Sequence, residues 1–460
     1  MNGGLEGQRV VVVGLGKSGV GAVRLLVEQG AKVTVEESKT ADELDAFEAA
    51  GVTMELGRPL SAERLVGMDL IVVSPGIPLS LPALVAARER GQHVVGEAEL
   101  AWRFLHHDVP LVGITGTNGK STTTALVGEL FRQGGFRPFV GGNLGTALSD
   151  AARLPVPPGA YVVEYSSFQL EGFVDTRVTA AAILNLTPDH LDRYGSLEAY
   201  GAAKARILAR QHADDVAVLN ADDAQVMKLA GDARASRQGF TLDPTATPAS
   251  RGLFTLARPA TAGFQILRAS GSEHFTLANR ALRGAHNLQN AMAAVLLALA
   301  SGVAPKAIQA GLESFPGLPH RLEFVRSLGG VEWVNDSKAT NVDSSVVALA
   351  AFPGQRVWLI AGGKGKGAPY APLVTAARQK VAGVLTVGQD AGSIEREFTA
   401  DSQGGFAVHP CQTLERAVSR ARELAGAGDV VLLSPACASY DQFKNFEDRG
   451  DSFKRWVMAL

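Results

Sequence analysis

The sequence predicts an α/β protein of three consecutive units, each built on a mostly parallel sheet flanked by helices. Three observations predict it. Short β-branched runs alternate with stretches of helical period from end to end. The runs are continuously apolar rather than alternating, which suits strands buried on both faces. A chain of 460 residues also has room for about three domains of roughly 150 residues each.

The strand-like runs are Val10–Val13, Leu70–Val73, Val109–Ile114, Tyr161–Val163, Ala181–Leu184, Val216–Leu219, Val357–Ile360, Val384–Val387 and Val430–Leu433. Gly239–Leu277 is different: rich in Thr, Pro and Gly, it predicts short antiparallel strands or a surface excursion within the second unit. Two segments read as boundaries. Pro110 closes the His106–Pro110 segment and ends helical continuity, and Phe315–Arg321 places two prolines and a glycine before the next strand. The expected domains are therefore residues 1–107, 108–315 and 316–460.

Composition narrows the function classes. With 44 basic and 46 acidic side chains the formal charge is −2, which argues against a nucleic-acid coat. Two cysteines, Cys411 and Cys437, argue against a disulfide framework or a structural zinc site. The longest apolar run, Ala291–Ala300, is too short to span a bilayer, and the N-terminal stretch has neither a basic start nor a secretory core. A soluble cytoplasmic protein is expected, with no membrane partner.

The first motif, Gly14-Leu15-Gly16-Lys17-Ser18-Gly19, directly follows the Val10–Val13 run and opens a helix. That is the context of a dinucleotide-binding turn, and Glu36 and Glu37 stand some twenty residues on. Glycines permit the tight turn and the helix start favours phosphate. A diphosphate ligand fits; so does an NAD oxidoreductase, or a tight turn without a ligand. The first unit is expected to be Rossmann-like.

The strongest signal is Gly116-Thr117-Asn118-Gly119-Lys120-Ser121-Thr122, again between a strand and a helix. Backbone N–H groups there would wrap a phosphate chain, Lys120 would reach its oxygens and the Ser121 hydroxyl would meet Mg²⁺. The first glycine of the strict pattern is replaced by Ile114, so the loop is a variant of the phosphate loop. The central unit is expected to be a P-loop ATPase-like parallel sheet with an added β segment.

Glu164 and His190 each lie just past a strand, where a metal ligand belongs, although either alone would ordinarily be a solvated residue. Lys204 falls in the stripe Leu197, Tyr200, Lys204, Ile207, Leu208 on one face of a helix expected over 196–210. Either its stem packs while the ammonium snorkels out, or desolvation holds a neutral amine. A neutral amine can add CO₂ and become an anionic carbamate. His286, Asn287 and Asn290 begin the apolar helix that follows and read first as caps, with adenine contact as an alternative.

In the third unit, Asn335–Asn341, Gly362–Gly367 and Ser434–Ser439 each follow a strand, and the last leads to Asp441–Phe446. Three polar, cationic loops at one sheet edge make a crevice for an anionic ligand. This unit, too, is expected to be Rossmann-like.

Taken together, GTNGKST, the Glu164 and His190 segments, GAHN, PHR, NDSKATN and SPACASYDQFKNFEDRG resemble the Mur ligase family, and the last two resemble its D-glutamate-adding branch. The resemblance covers essentially the whole chain. It implies an ATP-dependent amide ligase of cytoplasmic peptidoglycan precursor synthesis that joins D-glutamate to UDP-N-acetylmuramoyl-L-alanine through an acyl phosphate, acting as a monomer.

It further implies a UDP-substrate site at Gly14, Leu15, Gly16, Lys17, Ser18, Glu37, Ser74, Pro75, Gly76 and Asn143, rather than an NAD site. ATP would meet Gly116 to Thr122, Asn287, Arg321, Asp336 and Lys338. Two Mg²⁺ ions would be held by Ser121, Glu164, His190 and Lys204 as a carbamate. Lys120, Asn143, His190 and Lys204 would serve the chemistry. Thr340, Lys366, Ser439 and the backbone of Phe446 would hold D-glutamate. Lys364 is an additional cation in the GGKGK loop, and Tyr440 stands where relatives carry Leu.

Overall fold

A computed structural model describes residues 4–38, 44–143, 145–231, 233–243, 253–260, 263–268, 274–378, 380–401 and 403–460. Their strands form three sheets. The first is wholly parallel and comprises β1 (Arg9–Val13), β2 (Lys32–Glu37), β3 (Thr53–Leu56), β4 (Leu70–Val73) and β5 (Val94–Gly96), in the spatial order β3-β2-β1-β4-β5. Leu70–Val73 is buried along its whole length, as are the four valines of β1, because helices cover both faces.

The second sheet has nine strands. Its parallel part uses β6 (Leu111–Thr115), β7 (Pro138–Gly142), β8 (Ala160–Glu164), β9 (Ala180–Ile183), β10 (Val216–Asn220) and β11 (Ser236–Thr241). To this are added β12 (Leu253–Ala260), β13 (Gly263–Arg268) and β14 (His274–Leu277), giving the order β14-β13-β12-β11-β10-β9-β6-β8-β7. The pairs β12/β13 and β13/β14 are antiparallel while β12 runs parallel to β11. Of the two readings of Gly239–Leu277, the described parts thus give short strands that extend the sheet.

The third sheet orders β15 (Glu323–Leu328), β16 (Val331–Asn335), β17 (Val357–Gly362), β18 (Val381–Val387), β19 (Ala407–Gln412) and β20 (Val430–Leu433) as β15-β16-β20-β17-β18-β19. Only β15, hairpinned to β16, is antiparallel.

The chain divides into two compact units, residues 1–277 with 289–313, and residues 278–288 with 314–460. The first holds two of the sheets and the second holds the third. Parallel strands need crossovers, so the mutually parallel strands of each sheet deliver their C-terminal ends to one edge, where ligands of open α/β sheets bind. That single fact of topology gathers the motifs. Loops after β1 and β4, neighbours in the first sheet, meet at one edge; so do those after β6, β7, β8 and β9 in the second, and those after β16, β20 and β17 in the third.

Candidate active site

The phosphate loop starts two residues later than the strict pattern places it, for a visible reason. Ile114 is fully buried within β6, paired with Glu164 on one side and Ala182 on the other, so the chain cannot turn there. It turns at Gly116, with φ +152°, and Gly119, with φ +86°. A side chain at Gly119 would place its Cβ 2.2 Å from Asn290 Oδ1. The helix Lys120–Gln133 then begins at Lys120, directly after the loop. Asn118 and Asn185 brace the loop by exchanging hydrogen bonds: Asn118 N–H donates to Asn185 Oδ1 at 2.8 Å, and Asn185 Nδ2 donates to Asn118 O at 3.1 Å.

Two lysines converge on this turn. Lys120 Nζ donates to the carbonyls of Gly116 and Thr117 at 3.0 and 2.8 Å, and Lys204 Nζ donates to the same Gly116 carbonyl at 2.8 Å. Lys204 is only 1% exposed, which excludes the snorkelling alternative. Its helix, Leu197–Ala205, is capped by the Ser196 hydroxyl and passes into a 3₁₀ turn at Arg206–Leu208, so the expected helix is shorter by a turn. Burial pushes the amine down to about 7, and the nearby Lys120 charge pushes the same way. The Tyr200 ring lies 4.4 Å from Nζ.

Glu164 ends β8 and is 2% exposed rather than solvated. Oε1 accepts a 2.6 Å hydrogen bond from Asn143 Nδ2, while Oε2 is buried with no protein partner. A carboxylate oxygen left so is costly unless a cation or proton meets it. His190 caps a short helix with φ +51°, stays about half exposed, and packs 4.8 Å from the Phe168 ring. The structure thus brings Lys120, Asn143, Glu164, His190 and Lys204 to one sheet edge, with Ser121 and Thr122 opening the helix beside them.

At the first sheet's edge, Gly14 turns with φ +90° and its carbonyl accepts a 2.7 Å bond from Ser74 Oγ. Leu15, Gly16, Lys17 and Ser18 complete the turn, and Pro75 and Gly76 follow Ser74 across from it. Lys17 Nζ donates to the carbonyl of Gly145. The two glutamates have separate tasks. Glu36 is buried in an ion pair with Arg64 at 2.7 Å, and Glu37 Oε2 accepts from the Leu15 N–H at 2.8 Å. Both carboxylates of the NAD reading are therefore engaged within the protein, which weakens that alternative.

The second unit carries the remaining motif residues. Arg321 sits between His320 and Leu322, both with positive φ (63° and 44°), and its Nε is buried without a hydrogen-bond partner. Asp336 accepts from Ser434 Oγ at 2.9 Å and from Leu322 N–H at 3.1 Å; burial pushes its carboxyl up to about 7. Asn287 Nδ2 donates to Arg283 O at 3.0 Å, a bond that ties the preceding turn to the helix and caps none of its N–H groups. His286 is pushed down to about 4 by burial and by Arg321, and stays neutral.

Lys338 lies over the Phe446 ring at 5.6 Å. Thr340 is half-buried, Ser439 buried and Lys366 exposed, on the loops after β16, β20 and β17 respectively. Sequence reasoning named neither Ser337 nor Arg449, which tie these loops together. For Arg449 a signal existed: it shares an i, i+4, i+8 stripe with Phe453 and Val457 on the buried face of the helix Phe446–Ala459. That is the pattern that singled out Lys204.

Fold and site define a class of protein: an α/β phosphate-loop enzyme with two further, mostly parallel sheets besides the one that carries the phosphate loop. Comparison with known proteins narrows the class. Residues 8–96 match the MurD-like N-terminal domain of Mur ligases, residues 114–298 the Mur ligase middle domain, and residues 320–437 the Mur ligase glutamate ligase domain. The chain belongs to the Mur ligase family.

The UDP-N-acetylmuramoylalanine–D-glutamate ligase of Myxococcus xanthus (strain DK1622) is 60% identical over 460 residues, 99% of each chain. That of Anaeromyxobacter dehalogenans (strain 2CP-C) is 53% identical, covering 98% of this chain and 97% of the relative. Among solved structures, the UDP-N-acetylmuramate-alanine ligase of Thermotoga maritima aligns with TM-score 0.60 at 19% identity, over 98% of this chain and 100% of that one. A pseudomurein peptide ligase type C from Methanothermus fervidus aligns at 0.56 and 20%, over 98% and 99%. At such identities the likeness speaks for the fold. Among the described residues no helix is long and apolar enough to cross a membrane.

Proposed function

We propose that this chain is an ATP-dependent ligase that adds D-glutamate to UDP-N-acetylmuramoyl-L-alanine in cytoplasmic peptidoglycan precursor synthesis. The observation that carries the reading is Lys204, a buried amine on the phosphate-loop carbonyl, beside a buried carboxylate with one oxygen unmet. Full-length identity of 60% to a relative of that name supports the substrate assignment.

Residues 1–107 would hold the UDP moiety, with the Gly14–Ser18 turn and helix start facing the diphosphate and Ser74, Pro75, Gly76, Glu37 and Asn143 around it. Residues 108–315 would hold ATP on Gly116–Thr122. Asn287, Arg321, Asp336 and Lys338 would complete the nucleotide and transition-state contacts. Residues 316–460 would take D-glutamate on Thr340, Lys366, Ser439 and the Phe446 backbone.

The γ-phosphoryl group passes to the L-alanyl carboxylate, the D-glutamate amine attacks the acyl phosphate, and inorganic phosphate leaves. Carboxylate, phosphate and incoming amino acid are all anionic, so charge compensation and alignment govern the rate. Lys120 supplies a fixed cation at the β/γ oxygens. Asn143 holds Glu164 and orients the substrate, and His190 aligns the acyl phosphate. Ser121, Glu164, His190 and Lys204 as a carbamate fit two Mg²⁺ ions: Glu164 has an unmet oxygen, and Lys204 is poised as the neutral amine that CO₂ requires. Bound Mg²⁺ would offset the phosphate charge.

The test is phosphate release from ATP, Mg²⁺ and UDP-N-acetylmuramoyl-L-alanine with D-glutamate, L-glutamate, L-lysine or meso-diaminopimelate added in turn. Release that depends on D-glutamate alone is expected. Release with another amino acid would overturn the role given to residues 316–460. Silence with all four would overturn the ligase reading.

A further inference from the structure

Arg449 is 2% exposed, yet among the described residues it forms no ion pair. A buried guanidinium without a carboxylate is expensive, and an apolar side chain of like size would fill the space at lower cost. Its hydrogen bonds show what it does instead. Nε donates to Ser337 Oγ at 3.0 Å, and Nη2 donates to the carbonyls of Ser337 at 2.9 Å and Cys437 at 3.1 Å. Ser337 Oγ in turn donates to the Phe446 carbonyl at 2.8 Å. A Cβ at Gly363 would lie 3.1 Å from Nη1 and 2.3 Å from Ala438 O, so the glycine-rich loop closes directly over the guanidinium.

We infer that Arg449 is a positioning residue for the amino-acid site, its guanidinium locking the loops after β16, β17 and β20 into one arrangement. The inference rests on the ligase reading above. Each loop carries one expected D-glutamate contact a few residues away: Thr340 beyond Ser337, Lys366 beyond Gly363, and Ser439 beyond Cys437. Phe446, whose backbone is the fourth, is fixed through Ser337. Burial lowers the arginine only to about 10, so it remains a cation at neutral pH. Nη1 is buried without a hydrogen-bond partner, and the cation is favoured by the nearby Asp441 carboxylate and Cys437.

The experiment compares the full chain with Ser337→Ala and Arg449→Lys. The first step is read alone by trapping the acyl phosphate with hydroxylamine, before any amine substrate is present. The complete reaction is read as D-glutamate-dependent phosphate release. In Ser337→Ala, whose isosteric loss leaves the buried arginine in place, KM for D-glutamate should rise about tenfold or more, since small misplacements of binding groups cost that much. KM for the UDP substrate should stay at its wild-type value, and KM for ATP and trapping of the acyl phosphate, which reach this loop through Asp336 and Lys338, should change severalfold less than KM for D-glutamate. Arg449→Lys keeps the charge and loses the fork, so it should show the same split. The double variant should add little to either, because both act on one unit.

Amide exchange at residues 434–446 should quicken in both variants. A folded Ser337→Ala with unchanged KM for D-glutamate overturns the inference, as does a rise in all three KM values together. If the wild-type chain itself releases no phosphate with D-glutamate while trapping acyl phosphate, the D-glutamate assignment of residues 316–460 falls, and this inference with it.

Discussion

Lysine 204 shows how one residue becomes chemically different by placement. A lysine in an apolar helical stripe was visible in the sequence, but not whether its amine reached water. That was decided by the Gly116 carbonyl, which comes from another part of the chain, with the Tyr200 ring of the same helix beside the amine. Lys204→Ala should lose about 10²–10³-fold in turnover, the loss typical of removing one preorganised charge partner. Short carboxylic acids should restore part of it; activity equal to wild type would remove the carbamate from the mechanism.

Asp336 is the second such residue. Its folded carboxyl lies near 7 where the unfolded one lies near 3.8, so the folded state keeps a proton that the unfolded chain releases. Stability of the second unit should fall as pH rises from about 4 to about 7 and then level off, by at most about 1.4 kcal/mol per pH unit. Asp336→Asn should flatten that slope in urea midpoints measured across the range. A slope unchanged by the substitution would place the proton elsewhere.

At the level of elements, the buried parallel strands were the easiest to read. Leu70–Val73 and Val430–Leu433 match β4 and β20 end to end, because a strand covered on both faces leaves an unbroken apolar run. The strands that sequence reasoning passed over are instructive. β7 begins at Pro138 and β19 contains Pro410, and both lie at sheet edges, where a missing N–H is tolerated. Their sequences resemble loops because their environment is half solvent.

The turn between β1 and its helix was legible from glycine spacing alone. Gly19→Ala tests it: the new Cβ would meet the Gly14 carbonyl at 2.0 Å. We expect about 1–3 kcal/mol of destabilisation, as for other overpacked sites, and a raised KM for the UDP substrate with KM for D-glutamate unchanged. A denaturation midpoint equal to wild type would show that the turn yields more easily than its geometry indicates.

For the molecule as a whole, the number of sheets was legible, but not the way they group. Two of the three sheets share one compact unit, since contacts such as Glu99 with the N–H groups of Val174, Asp175 and Thr176 stitch the first sheet's last helix to the second. No spacing rule announces a glutamate 75 residues from its partners. Two units with separate cores should melt in two steps. Calorimetry should resolve two transitions, and the nucleotide product ADP, which favours any state that binds it, should raise at least one of them. A single transition with equal calorimetric and van't Hoff enthalpies would overturn this.

The strand order of the third sheet also has a consequence for the newborn chain. β20 lies between β16 and β17, which do not pair with each other, so residues 430–433 are the seam that joins the two halves. While the chain is being made, the first sheet has all its strands by residue 96 and can close at once. The third must wait, split down its middle, until its seam has been translated, roughly tens of seconds later at ordinary synthesis rates. From their own synthesis until then, the facing edges of β16 and β17 offer unpaired backbone to any other strand. A message cut short before residue 430 would therefore yield no lesser version of the amino-acid unit, only two unjoined half-sheets for the cell's chaperones and proteases.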